Sequence, residues 1–420
     1  MKISELKLKE PILKAVGDLG FVDVMPIQEK CIPEIMAGKD LFGHSSTGSG
    51  KTAAFGLPIL EKIHPGHGLQ VLVLTPTREL CVQVSEALQS FGKYIHIRVT
   101  SVYGGVGINP QIDAIPHSDI IVGTPGRILD HLRRGTLSFE KVKFLVLDEA
   151  DKMFEMGFID DVEEIIRHVP KERQTLLFSA TLPAAVFNLV KKHMKSPISI
   201  KSEVYVDKSL LKQGFYVIDG REKFSLLVHL LKKNTAGLSM IFCATRHEVD
   251  ILNRNLRMQG IHGMAIHGGL SQNKRSFALD SLKKEKINVL VCTDVAARGL
   301  DIRSVTYIYN YDVPKTSDEY VHRIGRTARA GDKGEAITLL CDRDYDNFNR
   351  VLTDRSLDIK KEEPIEFPQV RFDSGRDRFR QRPGFHRGPR SQSGSSGYRG
   401  RSPHSSSGGR RSGWGLHPTR

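Results

Sequence analysis

Short apolar runs alternate along most of the chain with longer stretches in which apolar residues recur every three or four positions. The runs at 69–74, 119–122, 144–147 and 175–178 are nearly continuous in Val, Ile, Leu and Phe and predict buried strands, while 82–91 and 158–168 carry helical spacing. After Lys195-Ser196-Pro197 the pattern lapses into mixed charge with no helical period as far as Gly214. A second alternating block follows, with strands predicted at 239–243, 289–292, 306–309 and 336–340. Strands alternating with helices are the signature of parallel α/β units. Residues 1–200 and 214–366 are therefore expected to form two α/β domains in tandem, each the size of a small domain, joined by a linker at 201–213.

Composition changes the picture at the C-terminus. Between Arg371 and Arg420, Gly, Ser, Pro and Arg make up 36 of 50 residues, and twelve arginines against Asp373 and Asp377 hold +10 of the chain's +14 charge. Such a segment buries too little apolar surface to offset its ordering entropy, so 367–420 is expected to be a disordered basic tail. Its arginines are interleaved with Phe372, Phe379, Phe385, Tyr398 and Trp414, a mixture suited to phosphates and bases. No apolar run approaches the ~20 residues of a membrane helix. The mixed-charge N-terminus lacks the apolar core of a signal peptide, so none is expected. The five scattered cysteines contain no C-x-x-C pair and encode neither a zinc site nor a disulfide framework. A reducing, cytoplasmic compartment is expected.

Two clusters carry chemistry. Residues 45–52, Ser-Ser-Thr-Gly-Ser-Gly-Lys-Thr, match a G-x-x-x-x-G-K-[ST] phosphate loop with Ser45 in place of the first glycine. Thr47, Gly48, Ser49 and Gly50 let backbone N–H groups wrap a phosphate at a helix N-terminus. Lys51 would reach the β- and γ-phosphates, and the Thr52 hydroxyl would ligate Mg²⁺. The run at 144–147 feeds into Asp148-Glu149-Ala150-Asp151. There Asp148 is placed for the metal and Glu149 to polarise the attacking water. Acid pairs also occur simply as helix N-terminal residues, but a buried strand leading into this one, behind a phosphate loop, favours the chemical role.

Asp-Glu-Ala-Asp behind a phosphate loop resembles the DEAD-box ATP-dependent RNA helicases of superfamily 2, and the resemblance covers roughly Ile3 to Arg343. Gly20-Phe21 with Pro26-Ile27-Gln28 is similar to the adenine-reading Q motif. Pro76-Thr77-Arg78-Glu79-Leu80, Gly104-Gly105 and Thr124-Pro125-Gly126-Arg127 are similar to the first domain's RNA-contacting motifs. Ser179-Ala180-Thr181 is similar to the coupling motif. In the second block, residues 241–246 (ending Thr245-Arg246), His267-Gly268-Gly269, the stretch from Thr293 to Asp301, and His322-Arg323-Ile324-Gly325-Arg326-Thr327-Ala328-Arg329 complete the set in order.

The resemblance implies two RecA-like domains, ATP and Mg²⁺ as cofactors, and RNA as partner. The Gln28 amide matches the N6 donor and N7 acceptor of adenine. Arg326 and Arg329 would be arginine fingers delivered when the domains close, and Asp301 would help hold the ribose. Their other reading is a basic RNA-facing patch. Pro76, Thr77, Arg78, Gly104, Gly105, Thr124, Pro125, Gly126, Arg127, Thr245, Arg246, His267, Gly268 and Thr293 would touch the sugar–phosphate backbone and 2′-OH without reading sequence. Asp151, Ser179, Thr181, His322 and Arg323 would couple hydrolysis to closure. A hydroxyl pair at a strand end is also a common helix cap, and residue chemistry alone does not choose. The chain departs from the family pattern at Ile3, often an aromatic, at His44 and Ser45 at the loop entrance, and at Ala328, commonly glycine. The expected function is an ATP-dependent RNA helicase. An ATP-gated RNA clamp or annealing chaperone is the alternative, supported by the tail's charge, and a DNA translocase is disfavoured by the RNA-type motifs.

Overall fold

The computed structural model describes residues 1–44, 49–201, 210–297, 302, 305–328 and 332–374. The tail expectation for 375–420 lies outside them. Seven strands fall in the first half: β1 (Leu41–His44), β2 (Val71–Leu74), β3 (Val99–Val102), β4 (Ile120–Gly123), β5 (Phe144–Asp148), β6 (Gln174–Ser179) and β7 (Ile198–Lys201). Seven more follow: β8 (Leu211–Val217), β9 (Leu238–Phe242), β10 (Gly263–Ile266), β11 (Val289–Cys292), β12 (Val305–Asn310), β13 (Gly334–Leu340) and β14 (Lys360–Lys361).

The first sheet runs β3-β4-β2-β5-β6-β1-β7 and the second β10-β11-β9-β12-β13-β8-β14, with every pair parallel. Reading β8 for β1, β9 for β2, and so on to β14 for β7 turns one order into the other. The chain uses one RecA-like winding twice. Because both faces of each sheet are covered by helices, the central strands such as β2, β4 and β11 are apolar throughout instead of alternating. On β2, Val71 and Val73 pack with Ile27, Phe55 and Leu88, while Leu72 and Leu74 pack on the opposite face with Ile165 and Leu189. On β9, Met240 and Phe242 face Ile308 and Tyr320, and Ile241 faces Phe224 and Leu227. Parallel strands place all their following loops on one edge of each sheet, where the candidate motifs gather.

Two boundaries differ from expectation. The linker is shorter than 201–213, because Lys201 ends β7 and Leu211-Lys212-Gln213 pair with Gly334-Glu335-Ala336 in β8. Its polar residues hid this strand; Lys212 Nζ lies 3.0 Å from Glu335 and 2.9 Å from Glu362. The tail also begins later than 367. The Val370 N–H donates to Ser225 Oγ (3.0 Å), the Asp373 N–H donates to Asn255 Oδ1 (2.7 Å), and the Phe372 ring stands 5.0 Å from that of buried Phe224. Residues 367–374 are thus a strap on the second domain, anchored by main-chain hydrogen bonds that composition does not reveal. Among the described residues no helix is long and apolar enough to cross a membrane. All five cysteines are free and buried, and burial pushes the Cys31 and Cys81 thiols up to about 12.

Candidate nucleotide and RNA site

The phosphate loop leaves β1 and enters the helix Lys51–Lys62. Gly50 caps that helix at φ +86°, and a Cβ there would stand 2.5 Å from Gln28 Nε2 and 2.7 Å from Met25 Sδ. Backbone and space both demand glycine at this position. Lys51 opens the helix, 7% exposed, with Nζ 3.9 Å from Oδ1 of Asp148, the last residue of β5. That Oδ1 is buried with no hydrogen-bond partner among the described residues. Burial pushes the Asp148 carboxyl up to about 6, with Lys51 pulling against it and Glu149 adding to it. A buried carboxylate oxygen with no hydrogen-bond partner, together with the half-buried Thr52 hydroxyl next to Lys51, is a donor set that fits a hard divalent cation. Glu149 follows at φ +54°, a left-handed conformation that a side chain keeps only where its surroundings enforce it. Ser49 is half-buried beside the loop. Thr47, Gly48 and Asp301 lie outside the described residues.

Gln28 is buried, and its amide hooks the Q-motif helix to the phosphate loop. Oε1 accepts from the Met25 N–H (3.0 Å) and Nε2 donates to Gly50 O (3.2 Å). An amide oxygen has two lone pairs and an NH₂ two hydrogens, so one of each remains for an adenine edge. Phe21 sets its ring edge against Phe91, centroids 5.9 Å apart, and Ile3 is part of the first domain's core. His44 Nε2 bonds to Ala180 O, tying the loop entrance to the Ser-Ala-Thr segment.

Both hydroxyls of that segment are engaged with the acidic motif. Ser179 Oγ accepts from the Asp151 N–H (3.1 Å) and donates to Thr181 O (2.6 Å). Asp151 Oδ2 accepts from the Thr181 N–H (3.0 Å) and Oγ1 (3.1 Å). The Asp151 carboxyl is held low; burial opposes this, but Lys152 and Lys51 outweigh it. From the next residue, Lys152 Nζ reaches His322 Nδ1 of the second domain at 3.2 Å and Glu155 at 2.8 Å. Arg323, expected to couple the domains, is instead held inside the second. It pairs both ways with Asp294 (2.6 and 2.7 Å) and donates to Asn310 Oδ1 (3.0 Å) and Asp312 O (2.6 Å). A planar fork with this many donors suits a fixed internal anchor better than a moving contact. Arg326 is buried one turn on; Arg329 lies outside the described residues.

The RNA-type residues occur as two copies of one arrangement. After β2, Thr77 caps the helix Arg78–Phe91 by accepting from the Leu80 N–H (3.2 Å); after β9, Thr245 caps the helix Arg246–Met258 by accepting from the Glu248 N–H (3.1 Å). In each copy an arginine follows and lies over a glycine pair from the neighbouring loop. A Cβ on Gly105 would collide with the Arg78 guanidinium, and one on Gly268 would stand 3.4 Å from Arg246. Gly104-Gly105 follow β3 and Gly268-Gly269 follow β10, its counterpart. Thr124-Pro125 follow β4, and Thr293 follows β11. His267 is fixed by Asp250 (3.0 Å), and Pro76 sits between β2 and its helix. Arg127, beside Gly126, donates to Gln111 Oε1 (3.3 Å) and Val106 O (3.2 Å).

One residue and one contact escaped the sequence reading. Gln111 braces Arg127 and the Gly-Gly loop, donating to Tyr103 O (3.0 Å). Glu79 receives Arg275 (3.0 Å) and Gln272 (3.2 Å) from the second domain. A contact between residues 193 apart leaves no local pattern to find.

Comparison with known proteins gives the same reading. Residues 25–189 match the DEAD/DEAH box helicase family and residues 222–331 the helicase conserved C-terminal domain. The ATP-dependent RNA helicase CshA of Listeria monocytogenes is 48% identical over 370 residues, 87% of this chain and 71% of that protein. The CshA of Geobacillus kaustophilus is 46% identical over 352 residues, 83% and 75% of the two chains. Among solved structures, Saccharomyces cerevisiae Dbp5 bound to RNA and ADP BeF3 has a TM-score of 0.77 at 31% identity, covering 86% of this chain and 95% of its own. A DEAD box protein of Methanococcus jannaschii reaches 0.54 at 40% identity, covering 86% and 99%. With the ordered motifs, the twice-used winding and relatives matched over most of their length, the chain belongs to the DEAD-box ATP-dependent RNA helicases.

Proposed function

We propose that the protein hydrolyses ATP to separate short RNA duplexes locally or remodel RNA–protein complexes, gripping one strand across both domains. The observation that carries this is the paired arrangement of a capping threonine and an arginine over two glycines, at matching places in the two sheets. Such groups suit phosphate, sugar and 2′-OH contact and leave bases unread. Lys51 and the loop backbone bind the phosphates, Gln28 favours adenine, and Glu149 takes the proton of the attacking water. Mg²⁺ held by Asp148 and Thr52 would supply neutralising charge at the phosphates. Arg326 and Arg329 stabilise the charge that develops on the γ-phosphoryl once the domains close. The Asp151–Thr181 bonds and the Lys152–His322 contact give closure a mechanical link to the acidic motif. The basic residues of 375–420 add sequence-independent attraction to RNA. The buried free thiols support a reducing, cytoplasmic setting.

A strand-displacement assay on a short RNA duplex tests the reading. The parent should release the strand with ATP, whereas Glu149→Gln, which keeps shape but loses the base, should bind ATP and RNA and release almost none. Parental displacement by Glu149→Gln would remove Glu149 from its role. Retention of single strands without displacement by the parent would favour the clamp.

A further inference from the structure

Because the second sheet repeats the first, the lysine–aspartate pair of the nucleotide site has a counterpart there. Lys51 is the first residue of the helix after β1; Lys223 is the first residue of the helix Lys223–Lys233, after β8. Asp148 ends β5; Asp312 lies two residues beyond β12, the strand that takes its place. The lysine–aspartate separations are 3.9 Å in the first domain and 3.8 Å in the second. Only the surroundings differ. In the second domain Asp344 carries a carboxylate to within 2.9 Å of Lys223 Nζ, so protein occupies the place of a phosphate, and Lys223 is 2% exposed.

The pair has a downstream contact. The Asp312 carboxylate accepts from Arg343 (2.6 Å) and from the Ala244 N–H (2.9 Å), while its carbonyl accepts from Arg323 (2.6 Å). Arg326 follows Arg323 by one turn and donates its N–H to Arg323 O (3.1 Å). Lys223 and Arg343 balance Asp312 and Asp344 in charge. Without Lys223, two buried carboxylates would share Arg343, whose side chain is 59% exposed, and Asp312 would be driven from its place.

We propose that Lys223, the second domain's counterpart of the phosphate-loop lysine, is a positioning residue that sets the arginine-finger segment through Asp312 and Arg323. The proposal rests on the reading of Arg326 as a finger. A misplacement of about 1 Å in such a group costs on the order of 10²-fold in rate.

The experiment is RNA-stimulated ATPase of the full chain at saturating RNA, with folding checked by thermal melting. Lys223→Met should lower kcat ten- to a hundredfold with KM for ATP within twofold of the parent, because the first domain's nucleotide contacts are untouched. Lys223→Met/Asp344→Asn restores the charge balance, folds more stably than the single variant, and should recover kcat to within about threefold. A purely structural lysine would lower the melting temperature without the kcat-only effect. A folded Lys223→Met at the parental kcat overturns the proposal. If Lys223→Met fails to fold, a folded double variant still depressed more than tenfold overturns it. Arg326→Ala run alongside separates the two claims, since a parental kcat there would refute the finger and not the Lys223–Asp312–Arg323 link.

Discussion

Substituting Arg275 by methionine tests how the two domains are held together. The Glu79 and Arg275 side chains are 4% and 14% exposed and 3.0 Å apart, and they come from different domains. With the domains separated, both would meet water and neither would strain its own fold. The cost of Arg275→Met therefore falls on closure. Stranding one member of a buried ion pair costs ~3–5 kcal/mol. The hydrogen bond from Gln272 at 3.2 Å remains and offsets ~1 kcal/mol of that. A net loss of ~3 kcal/mol lowers the closure equilibrium about 100-fold. The RNA concentration for half-maximal ATPase should rise by about that factor while the melting temperature stays put. Energy transfer between dyes on the two domains should show less closure at a fixed RNA and ATP concentration. Glu79→Gln keeps the Gln272 bond and strands no carboxylate, so it should cost less. Glu79→Gln/Arg275→Met should close more readily than Arg275→Met alone. A parental RNA requirement in Arg275→Met, or a double variant worse than the single, would refute a buried-charge account of the contact.

Three further outcomes are expected. Because burial raises the Asp148 carboxyl to about 6, lowering the pH through that value protonates it and removes a cation ligand; KM for Mg²⁺–ATP should climb towards tenfold per unit between pH 6 and 5, and a flat profile from pH 7 to 5 would contradict it. Ala328 holds φ +52°, which costs a side chain ~1–2 kcal/mol, whereas the added freedom of glycine in the unfolded chain costs ~0.4–1 kcal/mol; Ala328→Gly should thus raise the melting temperature by about 1–3 °C, and a fall would contradict it. Ending the chain after Ser374 should leave melting and maximal ATPase unchanged, weaken RNA binding and flatten its salt dependence by ~0.7–0.9 for each phosphate no longer neutralised; ending it at Glu366 should also lower the melting temperature by uncovering Phe224, and identical melting of the two truncations would show that the strap adds nothing.

The chemistry of this protein is written in contiguous stretches, which is why the sequence alone determined it. A phosphate loop needs small residues followed by lysine and a hydroxyl in unbroken order. The acidic motif needs a buried strand directly before it, and continuous apolar runs mark strands covered on both faces. Local rules therefore marked two α/β blocks and put Lys51 at a helix start and Asp148 and Glu149 at a strand end. Tertiary structure decided what depends on distant partners. Asp151 meets Thr181 because β5 and β6 are neighbours, and Ala328 departs from the family's glycine at a residue whose backbone is left-handed. Glu79 finds Arg275 only when separate domains meet, and Lys223 resembles Lys51 only once both sheets are seen to share one winding. The strap at 367–374 is stabilised by main-chain hydrogen bonds to Ser225 and Asn255, so its side chains did not announce it. Ion pairs and hydrogen bonds between far parts of a chain impose no periodicity on it, and only folding brings their members together.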